Sequence, residues 1–368
     1  MTAPDVPPDV VVVGGGPAGS AAAIHLASAG VRVTLLERTR AAHDVVCGEF
    51  LSAGAQAHLA ALGVAVAPPL GAPIRRLRLI RGTQEVEARL PFTALGLSRR
   101  VLDERLLERA RAVGVTVRRG VTVRAVEPGA AVLADGSRVT AGAVFLATGK
   151  HDLRSHRRPA GIHPGLVGLK MRLDGGGDRR ERRDGGAIDL LLFDGGYAGH
   201  QPVGAGQATV CLLVTADRWR RLGASWPRLM ADLARTSPRW RDRLGAARPL
   251  WQRPLAVAGQ PYGFQAVAGD ADGPLYRIGD QVAVVPSFCG EGIALALHSA
   301  RLAADCFLAH GADTAPYYAA AAEAFGRVRP AAWASRALEQ AAVTAAAVQA
   351  AALAPRLLTV LARSTRLA

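Results

Sequence analysis

The chain has 368 residues, half of them hydrophobic and a fifth charged, with a net charge of +15. That is enough apolar material for two or three packed domains. No charge-free apolar run of about 18 residues is present, so a membrane span is not expected; arginine is dispersed and aromatics are 5% of the chain, so nucleic acid is not expected as a partner.

Cys47, Cys211, Cys289 and Cys306 show no C-x-x-C spacing. That argues against a disulfide framework and a zinc site. The start, MTAPDVPPD, lacks the basic and apolar regions of a signal peptide, so cytoplasm is the expected compartment. Lys150 and Lys170 are the only lysines; the rest of the positive charge is arginine. Such a balance favours an anionic substrate or an anionic membrane surface.

Val10 to Val13 is a valine run that suits a strand buried on both faces. Gly14, Gly16 and Gly19 then fit G-x-G-x-x-G, with Ala18 inside the motif. Ala21 to Ala29 reads as a helix ended by Gly30, and Val31 to Leu36 as a second strand closed by Glu37 and Arg38. In such a unit the first glycine makes the tight turn, the second admits a pyrophosphate, and the third allows close helix–strand packing. The helix N-terminus offers free N–H groups to the phosphates, and Glu37 can take the ribose hydroxyls. All five parts stand in register, which points to a dinucleotide site.

Cys47-Gly48-Glu49 lies at a turn in the next segment, and Ser52 to Leu62 reads as a short helix. Residues 74–90 alternate around Gly82-Thr83 and predict a hairpin. Arg99 and Arg100 precede a helix marked by Leu102, Leu106, Leu107 and Ala110. Val115 to Val117 is a third parallel strand, and residues 121–139 form a small meander around Asp135-Gly136. Ala143 to Ala147 is another buried strand. Thr148-Gly149-Lys150 follows at its carboxyl end, where open α/β sheets bind ligands.

Residues 160–259 alternate in the manner of an antiparallel sheet, at Leu166 to Leu173, Ala187 to Phe193 and Ala208 to Val214. The loop Asp174 to Gly186 is expected to be exposed and mobile. Trp219 to Leu244 is helical, and its tryptophans (Trp219, Trp226, Trp240) read first as core and second as cavity lining. Leu275 to Gly279 is a last strand. Gly279-Asp280 and a small-residue loop then lead into a helix from Gly292 to Leu308. The tail, 314–368, is helical, with Thr314 as its cap and Pro316 in its first turn. Its interleaved arginines suit either a packing bundle or a basic lipid-facing surface.

These motifs, in this order, resemble the FAD-dependent glutathione-reductase-like group with the para-hydroxybenzoate hydroxylase architecture. The carriers are the N-terminal fingerprint, Arg100 to Asp103, Ala147-Thr148-Gly149 and Gly279-Asp280. Val46-Cys47-Gly48-Glu49 and Gly290-Glu291-Gly292-Ile293 resemble the geranylgeranyl reductase branch. The resemblance covers about residues 8–310. It implies an α/β fold: a Rossmann-type FAD-binding domain, an inserted antiparallel-sheet substrate domain and a C-terminal helical segment. The expected boundaries are 1–73, 98–159 and 260–312 for the FAD domain, 74–97 and 160–259 for the substrate domain, and 313–368 for the helices.

By the resemblance, Gly14, Gly16, Gly19 and Glu37 hold the ADP half of FAD. Arg100 meets the pyrophosphate or ribityl chain, Asp280 a ribityl hydroxyl, and the backbone of Gly290 to Ile293 the reduced flavin's negative charge. The implied activity is reduction of a C=C bond in a hydrophobic isoprenoid or polyketide-like substrate, with NAD(P)H as a possible electron donor. The alternatives are hydroxylation of an aromatic substrate and non-enzymatic electron transfer. Thr148 stands where the hydroxylases carry aspartate, which weakens the first alternative. The reductases' Tyr-x-Trp-x-Phe-Pro strand is here Tyr197 to Pro202, without the tryptophan and phenylalanine.

The candidate catalytic residues are Cys47, Tyr197 and His200. A thiol of ordinary pKa, about 8.5, can give a proton to the carbon that takes no hydride. A Cys47–Cys289 redox pair is the sharper reading of those two residues. Cys211 and Cys306 read as core, His298 as a buried histidine, and Glu49 and Glu291 as loop-ordering groups. Peripheral membrane contact through the basic tail is the further partner expectation; monomer and dimer stay open.

Overall fold

The protein is described from a computed structural model covering residues 7–68, 70–175, 186–267, 273–337 and 339–364. The chain opens with β1 (Val10–Val13), α1 (Pro17–Ser28) and β2 (Val33–Glu37). Next come β3 (Phe50–Leu51), α2 (Ala53–Ala61) and the hairpin β4 (Ala72–Arg81) and β5 (Gln84–Gly96). α3 (Arg99–Ala112) and β6 (Thr116–Arg119) are followed by the meander β7 (Val123–Glu127), β8 (Ala130–Leu133) and β9 (Arg138–Thr140), then β10 (Ala143–Leu146).

The second half starts with β11 (Leu166–Gly175), β12 (Ala187–Phe193), β13 (Gly196–Gly204) and β14 (Gln207–Thr215). α4 (Ala216–Arg221), α5 (Trp226–Thr236) and α6 (Pro238–Gly245) follow, then β15 (Ala247–Pro249), β16 (Leu255–Ala258) and β17 (Leu275–Arg277). The chain closes with α7 (Gly292–His310), α8 (Ala315–Ala324), α9 (Val328–Ala337), α10 (Ala341–Leu353) and α11 (Arg356–Ser364).

Five strands pair in parallel in the order β17-β10-β1-β2-β6. The valine run explains the centre of this sheet. Val10 and Val12 face one core with α1, α3 and α7, while Val11 and Val13 face the core under the meander. Helix–sheet packing on one side and sheet–sheet packing on the other leave no polar position in β1. α7 is long and apolar enough to cross a membrane by length and composition, but half of its most apolar window is buried, packed on α1 and α2.

The second sheet runs β15-β11-β14-β13-β12-β4-β5-β3, with β16 also on β11. It is antiparallel except that β12 lies parallel to β4, a pairing the alternation pattern did not predict. Ladder direction is decided by the connection, and residues 176–185 between β11 and β12 lie outside the described residues, as does most of the loop expected to be mobile. One face of this sheet packs on α4 to α6, where Trp240 is fully buried and Trp219 and Trp226 pack beside it. The tryptophans are therefore core. In the tail, α10 and α11 lie on β4 and β5, burying Val348, Ala351 and Leu358. Thr314 does not cap α8 with its side chain; Asp313 Oδ1 accepts the Ala315 N–H instead, at 3.0 Å.

A histidine cluster joins α1, α2 and α7. His58 and His298 meet at a tilt with ring centroids 5.5 Å apart, and His298 meets Phe325 edge-on. Burial, then the neighbouring charges of His298 and Arg301, push His58 down to about 4; burial also lowers His25 and His298. Between pH 6.5 and 4 the unfolded chain therefore binds protons here that the folded chain does not. The contribution is complete above pH 6.5 and is lost as pH falls towards 4, by on the order of 1 kcal/mol after solvent screening. Melting curves at pH 7 and pH 5 should show this loss, and His58→Gln should shrink the difference.

Candidate active site

A cavity of about 610 Å³ follows the seam between the two sheets. Its first end is built by the glycine turn. Gly14 has φ +109°, and a Cβ there would stand 2.5 Å from Ala147 O; a Cβ on Gly19 would stand 1.9 Å from Gly14 O. These contacts fold the turn tightly under β10 and leave Gly14, Gly16 and Ala18 lining the cavity. α1 begins at Gly16 with no side-chain cap, so its first N–H groups remain for an anion. Glu37 accepts from Gly15 N–H at 2.7 Å and from Thr39 N–H and O–H at 2.8 and 2.7 Å. Burial pushes its carboxyl up, but these hydrogen bonds outweigh it and hold Glu37 below its ordinary value. A carboxylate so placed still has acceptor sites for a diol.

The other expected binding residues divide. Arg38, Thr148, Gly149, Asp280, Gly290, Gly292 and Ile293 line the cavity. Gly19 does not; it is a packing residue. Arg100 is exposed, and Arg99 takes its place in the cavity wall. Neighbouring helix residues project about 100° apart, so a one-residue misreading moves the charge to solvent. Arg99 is fixed by two hydrogen bonds to Asp103, at 2.7 and 2.9 Å, and stands 3.3 Å from a Cβ built on Gly16.

Among the catalytic candidates, Cys47 and Tyr197 line the cavity and His200 does not. On β13 the cavity face carries Tyr197, Gly199 and Gln201, so His200 turns to the opposite face and packs edge-on against Trp240. Strand alternation decides this. Cys47, Cys289 and also Cys211 line the cavity, none of them in a disulfide. Cys211 is thus not simply core; burial pushes its thiol up to about 12. Cys306 packs against the core between the parallel sheet and α1, α3 and α7, as expected.

Glu49, expected to order its loop, does so and also ties the two sheets together. Glu49 is fully buried at φ +63°. Its Oε1 accepts from Arg99 N–H at 2.8 Å, Lys170 Nζ at 2.7 Å and Arg172 at 2.8 Å, and its Oε2 accepts from Thr209 Oγ1 at 2.5 Å. Lys170 also donates to Val45 O, and Gln201 donates to Gly48 O at 2.7 Å. The segment Val45 to Gly48, which lines the cavity, is thereby clamped to β11, β13, β14 and α3. A buried lysine in an arginine-rich chain was the available signal.

The middle of the cavity is polar. Lys150 Nζ donates to Asp280 Oδ2 at 3.4 Å, and the Thr148 hydroxyl is buried without a hydrogen-bond partner. The same cavity has an apolar lobe, walled by Leu79, Leu190, Leu213, Val257, Leu358 and Ala362. The arrangement fits a dinucleotide cofactor: an anion cradle, a diol acceptor and an orphaned hydroxyl line one cavity that also holds an apolar lobe.

Comparison with known proteins agrees with this geometry. Residues 8–156 match the family model of an FAD binding domain. Menaquinone reductase of Mycolicibacterium smegmatis is 31% identical over 325 residues, covering 82% of this chain and 77% of that protein. Digeranylgeranylglycerophospholipid reductase 2 of Methanopyrus kandleri is 31% identical over 222 residues, 55% of this chain and 54% of its own. Among solved structures, the flavin-dependent brominase Bmp2 superposes with a TM-score of 0.80 at 17% identity, covering 98% of this chain and 93% of that one.

Proposed function

The chain belongs to the family of FAD-dependent oxidoreductases that includes these menaquinone reductases, and on that premise we propose that it reduces a C=C bond of a hydrophobic, isoprenoid or polyketide-like substrate. The observation that carries this reading is the apolar lobe, which lies in the same cavity as the cofactor cradle. Reduced FAD supplies a hydride equivalent when bound. The chain's own residues do the rest. The glycine turn, Glu37 and Arg99 bind the ADP half. The start of α7 directs its positive end at the cavity. Leu79, Leu190 and Leu358 exclude water and take the substrate's carbon skeleton.

Aromatic hydroxylation remains the second reading at the level of the shared fold. It is disfavoured by Thr148-Gly149, where the hydroxylases carry an aspartate. One experiment separates the two. FAD-loaded protein is reduced with dithionite under anaerobic conditions and given geranial and geraniol. The expected result is a saturated product formed without oxygen. A product that appears only with oxygen, and carries an added oxygen atom, would replace reduction with hydroxylation.

A further inference from the structure

The two faces of α11 carry different chemistry. On the inner face, Leu358 and Ala362 are buried and wall the apolar lobe. Thr359 Oγ1 donates to Arg89 O at 3.2 Å and ties the helix to β5. On the outer face, Arg356, Val360 and Arg363 follow one another at spacings of four and three, and all three are exposed. An apolar side chain thus stands between two cations on a helix that walls the lobe. Leu353, which ends α10, is 89% exposed.

The same spacing recurs on α9. Arg329, Trp333 and Arg336 are exposed there, with the Arg336 guanidinium over the Trp333 ring at 5.6 Å. The apolar clusters beneath α9 and α11 both include Tyr197, so the two helices cover adjoining ground. Six large apolar side chains are exposed among the described residues, and Trp333, Leu353 and Val360 are three of them. Exposed apolar groups concentrated on one segment point to a contact surface.

Charge selects what this surface meets. From Gln340 to Ala368 the sequence holds Arg356, Arg363 and Arg366 and no acidic residue. Arginines beside exposed apolar side chains suit the boundary of an anionic bilayer, where the cations meet the phosphates and the apolar groups enter just beneath them. A second copy of this chain suits it less well, because a two-fold contact sets Arg356 and Arg363 against like charges.

We propose that the outer face of α11, with Leu353 at its start, docks the protein on an anionic lipid surface and holds the apolar lobe one helix away from the bilayer. A hydrophobic molecule dissolved in the bilayer then reaches the lobe past α11, without crossing water. The proposal stands on this surface and is independent of the reductase reading.

The test uses FAD-loaded protein without substrate. It is sedimented with sucrose-filled vesicles of phosphatidylcholine alone, or of phosphatidylcholine and phosphatidylglycerol in equal parts. The protein should go down with the anionic vesicles, stay behind with the zwitterionic ones, and be released by high salt. Arg356→Gln with Arg363→Gln should weaken partitioning about 30-fold, and Val360→Asp about tenfold. Val360→Trp should strengthen it about threefold, since tryptophan favours the interface. These positions are exposed, so each variant should keep the parent's FAD content and melting temperature. Arg105→Gln with Arg111→Gln makes the same charge change on the exposed side of α3 and should bind like the parent. No binding to anionic vesicles, or an equal loss in the α3 pair, would overturn the docking face. If Val360→Asp instead splits a dimer in analytical ultracentrifugation, the occupant is a second copy and the bilayer is overturned. None of these results touches the reduction experiment above.

Discussion

Gly14→Val should leave the purified protein without FAD. The Gly14 backbone stands at φ +109°, where a β-branched residue is strained by about 1–3 kcal/mol. Its Cβ would lie 2.5 Å from Ala147 O and 2.9 Å from Ala147 C, both backbone atoms just past the end of β10. Overpacking of this kind adds about 1–3 kcal/mol. The turn must open to relieve it, and the turn is the anion cradle. An affinity loss of at least about 100-fold, near 2.7 kcal/mol, is expected. Gly16→Val separates cradle from fold. Gly16 is at φ −76°, and a Cβ there meets only the end of the Arg99 side chain, at 3.3 Å. That variant should melt like the parent without cofactor, yet also lose FAD. The ratio of flavin to protein absorbance after adding excess FAD reads both. Full FAD content in Gly14→Val would refute the assignment of the cradle.

Glu49→Gln should cost about 3–5 kcal/mol of stability, the usual result of leaving buried charges uncompensated. Lys170 and Arg172 have 0% and 4% side-chain exposure, and both bond to Glu49 Oε1. Without that carboxylate, Asp44 is the one carboxylate left for two cations among the described residues, 2.8 Å from Arg172 and 3.6 Å from Lys170. Urea unfolding of the FAD-saturated protein measures the loss from the shift in midpoint. Adding Lys170→Met removes one unpaired cation, so the double variant should recover part of it. If Glu49→Gln unfolds at the parent's midpoint, the buried cluster is not the clamp described above. The loop from Val45 to Gly48 should loosen in the same variant. Cys47 would then react faster with a thiol reagent than in the parent.

Much of the cofactor half was legible because its rules are local. A valine run, three glycines, a helix and an acid at the end of the next strand lie within 28 residues, Val10 to Glu37. Each is forced by sterics between near neighbours: the positive φ of Gly14, the contact of Gly19 with Gly14 O, the alternation of β1 between two cores. The hairpin at Gly82-Thr83 was legible for the same reason, with Arg81 pairing Gln84 across a two-residue turn.

Which way a side chain faces was less legible. Arg100 and His200 were each one position from the residue that enters the cavity. Helix rotation and strand alternation turn a one-residue error into the wrong surface. A motif names a neighbourhood, whereas register is set by what packs on the other side: Asp103 for Arg99, and Trp240 for His200.

The sequence by itself determined that this chain opens on a tight glycine turn within an FAD-binding domain, that it has two larger sheets of different grain, and that its positive charge is carried almost wholly by arginine. Only the tertiary structure decided what the second sheet does with that cradle. Glu49 meets Lys170 across 121 residues and Thr209 across 160, and Lys150 meets Asp280 across 130. Tyr262 meets Ser287 only because the chain turns back on itself beneath the lobe. Bonds within a turn are written in the spacing of residues. Bonds between distant segments depend on how whole layers pack, and that depends on the sum of many weak apolar contacts that no short stretch contains.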